Sequence, residues 1–389
     1  MVYCTKGFKN IFRALERRIQ MDFSFLKKFS FPKHIFSGSS FSSDGFVGID
    51  IGLSSVKVVQ LKKKDDRAVL ETYGQLKSEG YLKNMDTSAT LSGFLRFLDQ
   101  DIVAMLKDVM KESNVTSRQA VFSIPANASF ITLAELPKIP KEEQQSTLSF
   151  EARRYIPIPQ SEVFTDWVII EDEEESPKMK VLFVAVPRDI IGKYQRIAEA
   201  ADIEIRAIEV ESFSIARSLV GADRTPTLII NFGHQITTAT IVDQGIIRVN
   251  HTIDRGSQSF ASALATGLHV SHERAEDFKN EVGLSEKLEE QEIVGILEPL
   301  IEVLFHEIER LVIAYNRDNE RKVEKVLLTG GGAKLKGIVD FSAKVFGVEV
   351  SAGNAFKRTV YPQFMQPILR DVSPHFSVAV GLALREIAL

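Results

Sequence analysis

Hydrophobic and polar positions along residues 46–61 predict a strand, a glycine-containing turn and a second strand. In the second strand Val56, Val58 and Leu61 are the apolar positions of a half-buried strand, and the first two are separated by its two-residue period. A third strand is expected near residues 69–73. The same opening returns after residue 226, with strands predicted at 227–232, 236–242 and 246–252. No sequence repeat is visible, but the recurrence indicates a duplicated architecture.

The remaining periodic segments alternate between helices and buried strands. Helices are predicted at 88–112, 189–201, 210–219, 257–266, 271–280, 290–316 and in the C-terminal segment 373–389. Strands are predicted at 119–124, 163–171, 179–187 and 325–329. Another helix should begin at Pro140, because proline suits the first helical position and two acidic residues follow in the first turn. The acidic run 171–175 predicts a solvated hairpin tip.

Residues 1–44 differ from the rest of the chain. They hold eight lysines and arginines, three acidic residues and eight phenylalanines. Between Lys6 and Gln20 the apolar residues follow helical spacing with basic residues on the other face, which predicts peripheral membrane contact through residues 1–36. The alternative is a poorly ordered leader upstream of a start at Met21. A serine-rich stretch at 37–45 predicts a flexible link.

Composition narrows the class of protein. With 389 residues, 44% hydrophobic and 26% charged, the chain has the composition of a soluble globular protein with room for two domains. A net charge of −4 argues against a nucleic-acid partner. The single cysteine, Cys4, excludes an internal disulfide. Neither a membrane-spanning run nor a signal peptide is evident, which predicts a cytoplasmic location.

The first glycine turn has the chemistry of an anion site. Gly52 lets backbone N–H groups approach an anion closely, and Ser54 and Ser55 add hydroxyl donors. Asp50, at a strand end, is placed to hold a hydrated Mg²⁺. An ordinary hairpin turn has the same composition, so this turn alone does not specify a site.

Two later elements repeat this chemistry. In the turn at 231–241, Gly233 opens the backbone and two threonines follow. A triple glycine at 330–332 lies between a predicted buried strand and a predicted helix, where a nucleotide can rest against backbone in an open α/β sheet. Three such elements in this order predict a nucleotide site.

The order of these motifs resembles the actin, Hsp70 and sugar-kinase superfamily. Over about residues 46–389 the chain is more closely similar to the PilM group of the FtsA/PilM family. The most specific part is an LPKIP turn at 136–140, a helix ending in EARRYIP at 151–157, and an Asp-Trp pair at 166–167. The segment 185–219 also matches the group.

The resemblance implies an α/β, actin-like (ribonuclease H-like) fold of two domains that enclose ATP. Domain I is expected at 45–224, with an inserted α+β partner-binding subdomain at about 125–205. Domain II is expected at 225–369, and a C-terminal helix at 370–389 should return to domain I.

The resemblance also implies which residues hold ATP and Mg²⁺, with Asp50 as the metal ligand. The expected contacts are Asp50, Gly52, Ser54, Ser55, Lys57, Asn231, Gly233, Thr237, Thr238, Glu276, Lys279, Gly330, Gly331, Gly332 and Lys334. Glu276 and Lys279 are three residues apart on a predicted helix, so a surface salt pair is the alternative for them.

One position departs from the family pattern. The family usually has an aspartate where this chain has Asn231, and asparagine lacks the charge that holds a divalent cation. No residue near the turns is an obvious replacement base, which leaves Glu151 and Glu211 as acidic residues that could face the cleft. The expectation is therefore that ATP binds, that hydrolysis is weak or absent, and that no catalytic residue can be assigned. ATP would act mainly as a ligand that holds the domains closed.

For function, the resemblance implies a cytoplasmic scaffold of a type IV pilus, or related type II secretion, inner-membrane platform. The implied partner is the cytoplasmic N-terminus of a PilN-like inner-membrane protein, bound as an extended peptide in a nucleotide-dependent way. Other platform proteins and the cytoplasmic motor ATPase are further implied partners. Phe122, Phe130 and Tyr155 are candidate groove residues, with plain core as the alternative.

Two other functions stay open on the sequence. One is an FtsA-like, membrane-associated filament protein of cell division, which the chain's end at Leu389 disfavours because FtsA proteins carry a C-terminal tether. The other is an ATPase or kinase of the same fold, which Asn231 disfavours.

Overall fold

The computed structural model describes residues 45–82, 93–171 and 177–387. The leader at 1–44 and the acidic residues 172–176 therefore lie outside the described residues. Within the described ranges, no helix is both long enough and apolar enough to cross a bilayer.

Thirteen strands in the described residues form three sheets, and ten α-helices accompany them. The strands are β1 (Phe46–Ile51), β2 (Ser55–Lys64), β3 (Arg67–Lys77), β4 (Gln119–Ile124), β5 (Phe130–Pro137), β6 (Val163–Glu171), β7 (Lys178–Pro187), β8 (Glu204–Val210), β9 (Thr227–Phe232), β10 (Thr237–Asp243), β11 (Ile246–Ile253), β12 (Lys325–Gly330) and β13 (Glu349–Ala352). The helices are α1 (Asp99–Glu112), α2 (Gln144–Tyr155), α3 (Arg188–Ala200), α4 (Glu211–Leu219), α5 (Ser257–Leu268), α6 (His272–Glu281), α7 (Gln291–Asp318), α8 (Ile338–Phe346), α9 (Gln366–Val372) and α10 (Ser377–Ile387).

Two five-stranded sheets share one topology. The first has the order β3-β2-β1-β4-β8 and the second the order β11-β10-β9-β12-β13. In each sheet a three-stranded antiparallel meander continues into parallel strands. β9 begins 181 residues after Phe46, at Thr227, and ends 181 residues after Ile51, at Phe232. The predicted duplication is thereby confirmed.

Helices cover both faces of the first sheet, which explains why all six residues of β1 are buried. Val47, Ile49 and Ile51 pack with α1 and α3 on one face. On the other face Phe46 packs with α10, which also contacts α4. Strands buried on both faces read as continuous apolar runs, as β1 does.

The third sheet is smaller, with the order β5-β7-β6, and α2 packs on it. Tyr155 stacks on Phe183 with ring centroids 5.9 Å apart, and Phe130 packs beside this cluster. Phe122 lies in the core of the first sheet instead, against Tyr194, so it cannot line a groove.

Two predicted helices begin later than expected. α1 begins at Asp99 instead of residue 88, because the preceding residues 93–96 form a 3₁₀ turn; the remainder of the predicted start, 88–92, lies outside the described ranges. α2 begins at Gln144, because the N–H of Glu143 donates to the Pro140 carbonyl at 2.9 Å and closes a turn there.

The contact of β1 with α10 generates a stability prediction. A Cβ at Gly48 would overlap the Ala379 carbonyl oxygen and lie 2.7 Å from the Ala383 nitrogen. Gly48→Ala should therefore lower the free energy of unfolding by about 1–3 kcal/mol through overpacking. Differential scanning calorimetry should show a lower Tm.

Gly295 in α7 provides the matched control, because a Cβ there meets no atom within 4 Å. Gly295→Ala should stabilise the chain by about 0.5–1 kcal/mol, since alanine suits a helix interior better than glycine. An unchanged Tm for Gly48→Ala would contradict the packing described here.

Candidate functional site

A cavity of ≈ 740 Å³ lies between the two five-stranded sheets. Its wall includes the ends of β1 and β9 and the triple glycine after β12. Ligands in open α/β sheets bind beyond the carboxyl ends of the strands, and this volume is typical of ligand pockets. Twelve of the fifteen residues predicted to contact ATP line the cavity: Asp50, Gly52, Ser54, Ser55, Lys57, Asn231, Gly233, Glu276, Lys279, Gly330, Gly331 and Gly332.

Two matching turns face this cavity. The N–H of Gly52 donates to the Ser55 carbonyl at 3.0 Å, and the N–H of Gly233 donates to the Ile236 carbonyl at 2.9 Å. A Cβ at Gly233 would lie only 2.7 Å from that Ile236 oxygen, so a side chain there would strain the turn.

Each turn leaves backbone donors at its tip. Within the part of the chain that the structure describes, no group accepts a hydrogen bond from the N–H groups of Leu53 and Ser54 or of His234 and Gln235. Consecutive unpaired N–H groups in a turn form an anion-binding concavity. The two turns therefore present donors from both halves of the chain to one ligand.

Asp50 is a buried carboxylate at the end of β1. Ser123 Oγ donates to its Oδ1 at 2.9 Å, and Lys57 Nζ lies 3.5 Å from its Oδ2. Both oxygens keep a further lone pair, so Asp50 can still accept a metal-bound water. The described residues contain no cluster of three or more His, Cys, Asp or Glu side chains that could hold a metal. A Mg²⁺ here would need mostly water and ligand oxygens, as Mg²⁺ usually does.

Glu211 is the second acidic residue of the cavity wall. It directly follows β8 as the first residue of α4, and its Oε1 accepts a hydrogen bond from the N–H of Ala126 at 3.0 Å. Burial and the neighbouring charge of Asp50 raise the pKa of Glu211 to about 7, against the lowering effect of the Ala126 N–H and Lys57. The carboxyl group of Glu211 therefore gains or loses its proton near neutral pH.

Of the two glutamates that could face the cleft, only Glu211 does so. Glu151 lies on α2, pairs with Arg154 at 3.1 Å and does not line the cavity, so that expectation is wrong. The sequence signal for Glu211 is its place directly after a buried parallel strand, which puts it at the same sheet edge as Asp50.

The triple glycine packs against the second turn. Gly330 has a φ of +80°, and a Cβ there would lie 2.7 Å from Asn231 Oδ1. A Cβ at Gly332 would lie 2.6 Å from the Cβ of Phe232. Side chains at these positions would displace the second turn, which is the physical reason for glycine here.

Burial lowers the pKa of two histidines in the cavity wall, which favours their neutral forms at pH 7. Burial, with the charges of Lys57 and Lys334, lowers the pKa of His375 to about 4. Burial also lowers the pKa of His234, although the charge of Glu276 opposes that shift. Both rings can therefore accept as well as donate a hydrogen bond.

Glu276 and Lys279 line the cavity and also form the salt pair that was the alternative for them. Lys279 Nζ lies 2.5 Å from Glu276 Oε2 and 3.4 Å from the Ser257 carbonyl oxygen. The lysine is almost fully buried, so the pair fixes the wall of the cavity on α6.

Three predicted contacts do not line the cavity. Thr237 Oγ1 donates to the Arg255 carbonyl at 2.7 Å, and Thr238 is buried on β10 beyond the turn. Lys334 is part-exposed and lies 2.7 Å from Asp371. The hydroxyl groups of Thr237 and Thr238 on β10 therefore do not reach the cavity.

Comparison with known proteins identifies the family. The sequence model for the type IV pilus assembly protein PilM matches residues 48–387. The cell division protein FtsA of Streptococcus pneumoniae serotype 2 is 21% identical over 339 residues, which cover 78% of this chain and 74% of that protein. FtsA of Enterococcus hirae is 22% identical over 352 residues, with 78% and 77% covered.

Solved structures agree on the fold. The PilM-PilN type IV pilus biogenesis complex gives a TM-score of 0.76 at 20% identity, covering 90% of this chain and 100% of that one. The ethanolamine utilization protein EutJ from Carboxydothermus hydrogenoformans gives a TM-score of 0.51 at 12% identity, with 95% and 98% covered. Because the family match spans nearly all of the described residues and the fold agrees, this chain belongs to the PilM family of type IV pilus assembly proteins and has an actin-like α/β fold.

Proposed function

We propose that this chain is an ATP-binding scaffold of the inner-membrane pilus platform, and that it binds the cytoplasmic N-terminus of a PilN-like protein in a nucleotide-dependent way. The observation that carries the proposal is the meeting of two glycine turns and a triple glycine, from distant parts of the chain, at one cavity. The likeness to a PilM-PilN complex supports the partner.

The residues of the cavity fit a nucleotide. The unpaired N–H groups of the two turns would hold the phosphates, and Lys57 would offset their charge. Glu276, in the cavity wall, would accept hydrogen bonds from ribose hydroxyls, and the triple glycine would leave room for the nucleoside against backbone. Mg²⁺ bound with ATP would offset the phosphate charge, and Asp50 would hold one of its water ligands.

Hydrolysis is expected to be slow. A base that accepts a proton from water works best with a pKa near the working pH, which Glu211 meets. Asn231 holds the position across the cavity without a charge, so one of the two groups that would orient metal and water is weakened. ATP would therefore serve chiefly as a ligand that favours the closed arrangement of the two halves.

The small sheet, β5-β7-β6, packs against both five-stranded sheets. One hydrophobic cluster contains Val121 of the first sheet, Ile229 of the second sheet and Val184 of the small sheet. β5 also contacts β11 of the second sheet. A shift between the halves would therefore move the small sheet, and a peptide bound there would in turn bias the closure.

The first test measures peptide binding in different nucleotide states. A synthetic N-terminal peptide of the PilN-like partner should bind more tightly with saturating ATP and Mg²⁺ than without nucleotide, by roughly 5- to 150-fold. Fluorescence anisotropy gives both dissociation constants, with a scrambled peptide as the control. Absence of binding in every nucleotide state would contradict the proposed partner. Equal dissociation constants with and without ATP would contradict the proposed dependence on nucleotide.

The second test uses the raised pKa of Glu211. Phosphate binding favours the protonated, neutral carboxyl group, so ADP affinity without divalent cations should rise as the pH falls from 8 to 6, by up to about tenfold. Glu211→Gln should lose this rise, which leaves only the small opposite effect of protonating the terminal phosphate of ADP, whose pKa is about 6. Glu151→Gln, outside the cavity, should keep the wild-type dependence, and calorimetric titration measures all three. A rise in ADP affinity at pH 6 that persists in Glu211→Gln would contradict this role.

The third test restores the missing carboxylate. Asn231→Asp keeps the side-chain shape and adds a charge for metal-bound water, so ATP hydrolysis should rise about tenfold or more over the wild type. Phosphate release measures the rate. Asn280→Asp, elsewhere in the cavity wall, is the control that should not gain activity. An Asn231→Asp protein that binds ATP but hydrolyses it no faster would count against the explanation.

A further inference from the structure

One stretch of the cavity wall takes no part in the nucleotide contacts described above. It comes entirely from the first half of the chain: Lys77, Ser78, Glu79, Leu82, Arg96 and Phe97. It adjoins the first turn, because the N–H of Ser78 donates to the Ser54 carbonyl at 3.0 Å and Ser78 Oγ lies 3.3 Å from the Gly52 carbonyl oxygen.

The local structure fixes Arg96 at this wall. Arg96 ends a 3₁₀ turn, and its neighbours Leu95 and Phe97 are both buried in the core of the first sheet. Lys193 Nζ donates to the Phe97 carbonyl at 2.8 Å and lies 2.5 Å from Asp99. Because its two neighbours are anchored in this way, Arg96 is held where its side chain lines the cavity.

Arg96 has no hydrogen-bond or ion-pair partner among the described residues. Its Nε is buried, and no group in the described ranges accepts a hydrogen bond from it or forms an ion pair with the side chain. The nearby Phe97 ring, with its centroid 5.4 Å from Cζ, offers only a cation–π contact. By contrast, Arg217 and Arg385 in the core both pair with Glu209. A buried N–H without an acceptor is unfavourable, and the remaining N–H groups of this half-buried side chain, which lines the cavity, are left to bind a ligand.

Lys77 adds a second positive charge to the same stretch. It is the last residue of β3, and it forms no ion pair among the described residues. Glu79 is the one carboxylate in this stretch of wall, against the two positive charges of Arg96 and Lys77. The local charge is therefore net positive.

We propose that Arg96 and Lys77 form an oxyanion subsite for a phosphate group beside the first turn. The planar fork of Arg96 can donate two hydrogen bonds to two phosphate oxygens, and Lys77 supplies a point charge to a third. Free inorganic phosphate and a terminal phosphoryl group of a nucleotide share this chemistry. The proposal does not depend on the proposed function, because it can be tested without a nucleotide.

The experiment titrates inorganic phosphate into the full-length chain at constant ionic strength, with calorimetry and thermal shift as readouts. Wild type should bind phosphate saturably. Arg96→Gln should bind roughly 10- to 100-fold more weakly, since a charge-assisted hydrogen bond to phosphate is lost. Lys77→Gln, at an exposed position, should weaken binding several-fold without affecting the fold, and Arg96→Lys should fall between wild type and Arg96→Gln.

Arg317→Gln is the matched control, because this arginine pairs with Asp318 on the surface, and it should bind phosphate as the wild type does. Repeating the titration with ADP or ATP present identifies the source. Displacement by ATP but not by ADP assigns the subsite to the terminal phosphoryl group, whereas binding beside ATP assigns it to free phosphate.

Unchanged ADP binding by Arg96→Gln would show that the rest of the cavity is intact. Lack of saturable phosphate binding by the wild type would overturn the proposal, and so would wild-type phosphate affinity in both Arg96→Gln and Lys77→Gln. If ATP and ADP fail to bind while phosphate binds through Arg96, the proposed scaffold function fails and the oxyanion subsite stands.

Discussion

A buried ion triad joins the C-terminal helix to the first half of the chain, and the cavity depends on it. Glu209 at the end of β8 lies 2.5 Å from Arg217 of α4 and 3.2 Å from Arg385 of α10. Arg217 also donates to the Gly381 carbonyl at 2.8 Å. Loss of Glu209 would leave two buried arginines without their shared carboxylate, at a cost of about 3–5 kcal/mol.

The triad fixes α4, and α4 begins with Glu211. Helices α4 and α10 cross at Gly381, where a Cβ would overlap the Ser214 carbonyl oxygen. This close approach holds α4 against α10, and α4 carries Glu211 into the cavity wall that also contains Asp50. The raised pKa of Glu211 is thus a consequence of helix packing as much as of local sequence.

The duplicated turns show how one backbone can carry two chemistries. Asp50 pairs across its hairpin with Lys57, and the equivalent positions in the second hairpin are Asn231 and Thr238. Both turns keep their glycine and their free N–H groups, so both can hold an anion. Of the two matching positions, Asp50 and Asn231, only the first carries a carboxylate.

The sequence by itself determined the local features of this protein. The strands on either side of each turn, the glycines of both turns and the recurrence after residue 226 could all be predicted from the sequence. The resemblance in residues 122–170 supplied the family, which the match over 48–387 confirms.

Only the tertiary structure decided which side chains share the cavity. Lys57 reaches it because its long side chain extends back toward Asp50, whereas the short hydroxyl of Thr238 at the matching position does not. Arg96 fell within the helix predicted at 88–112. In the structure it ends a 3₁₀ turn, and the burial of Leu95 and Phe97 holds it at the cavity wall. Period and composition encode burial, but distances between residues far apart in the chain arise only when the sheets pack together.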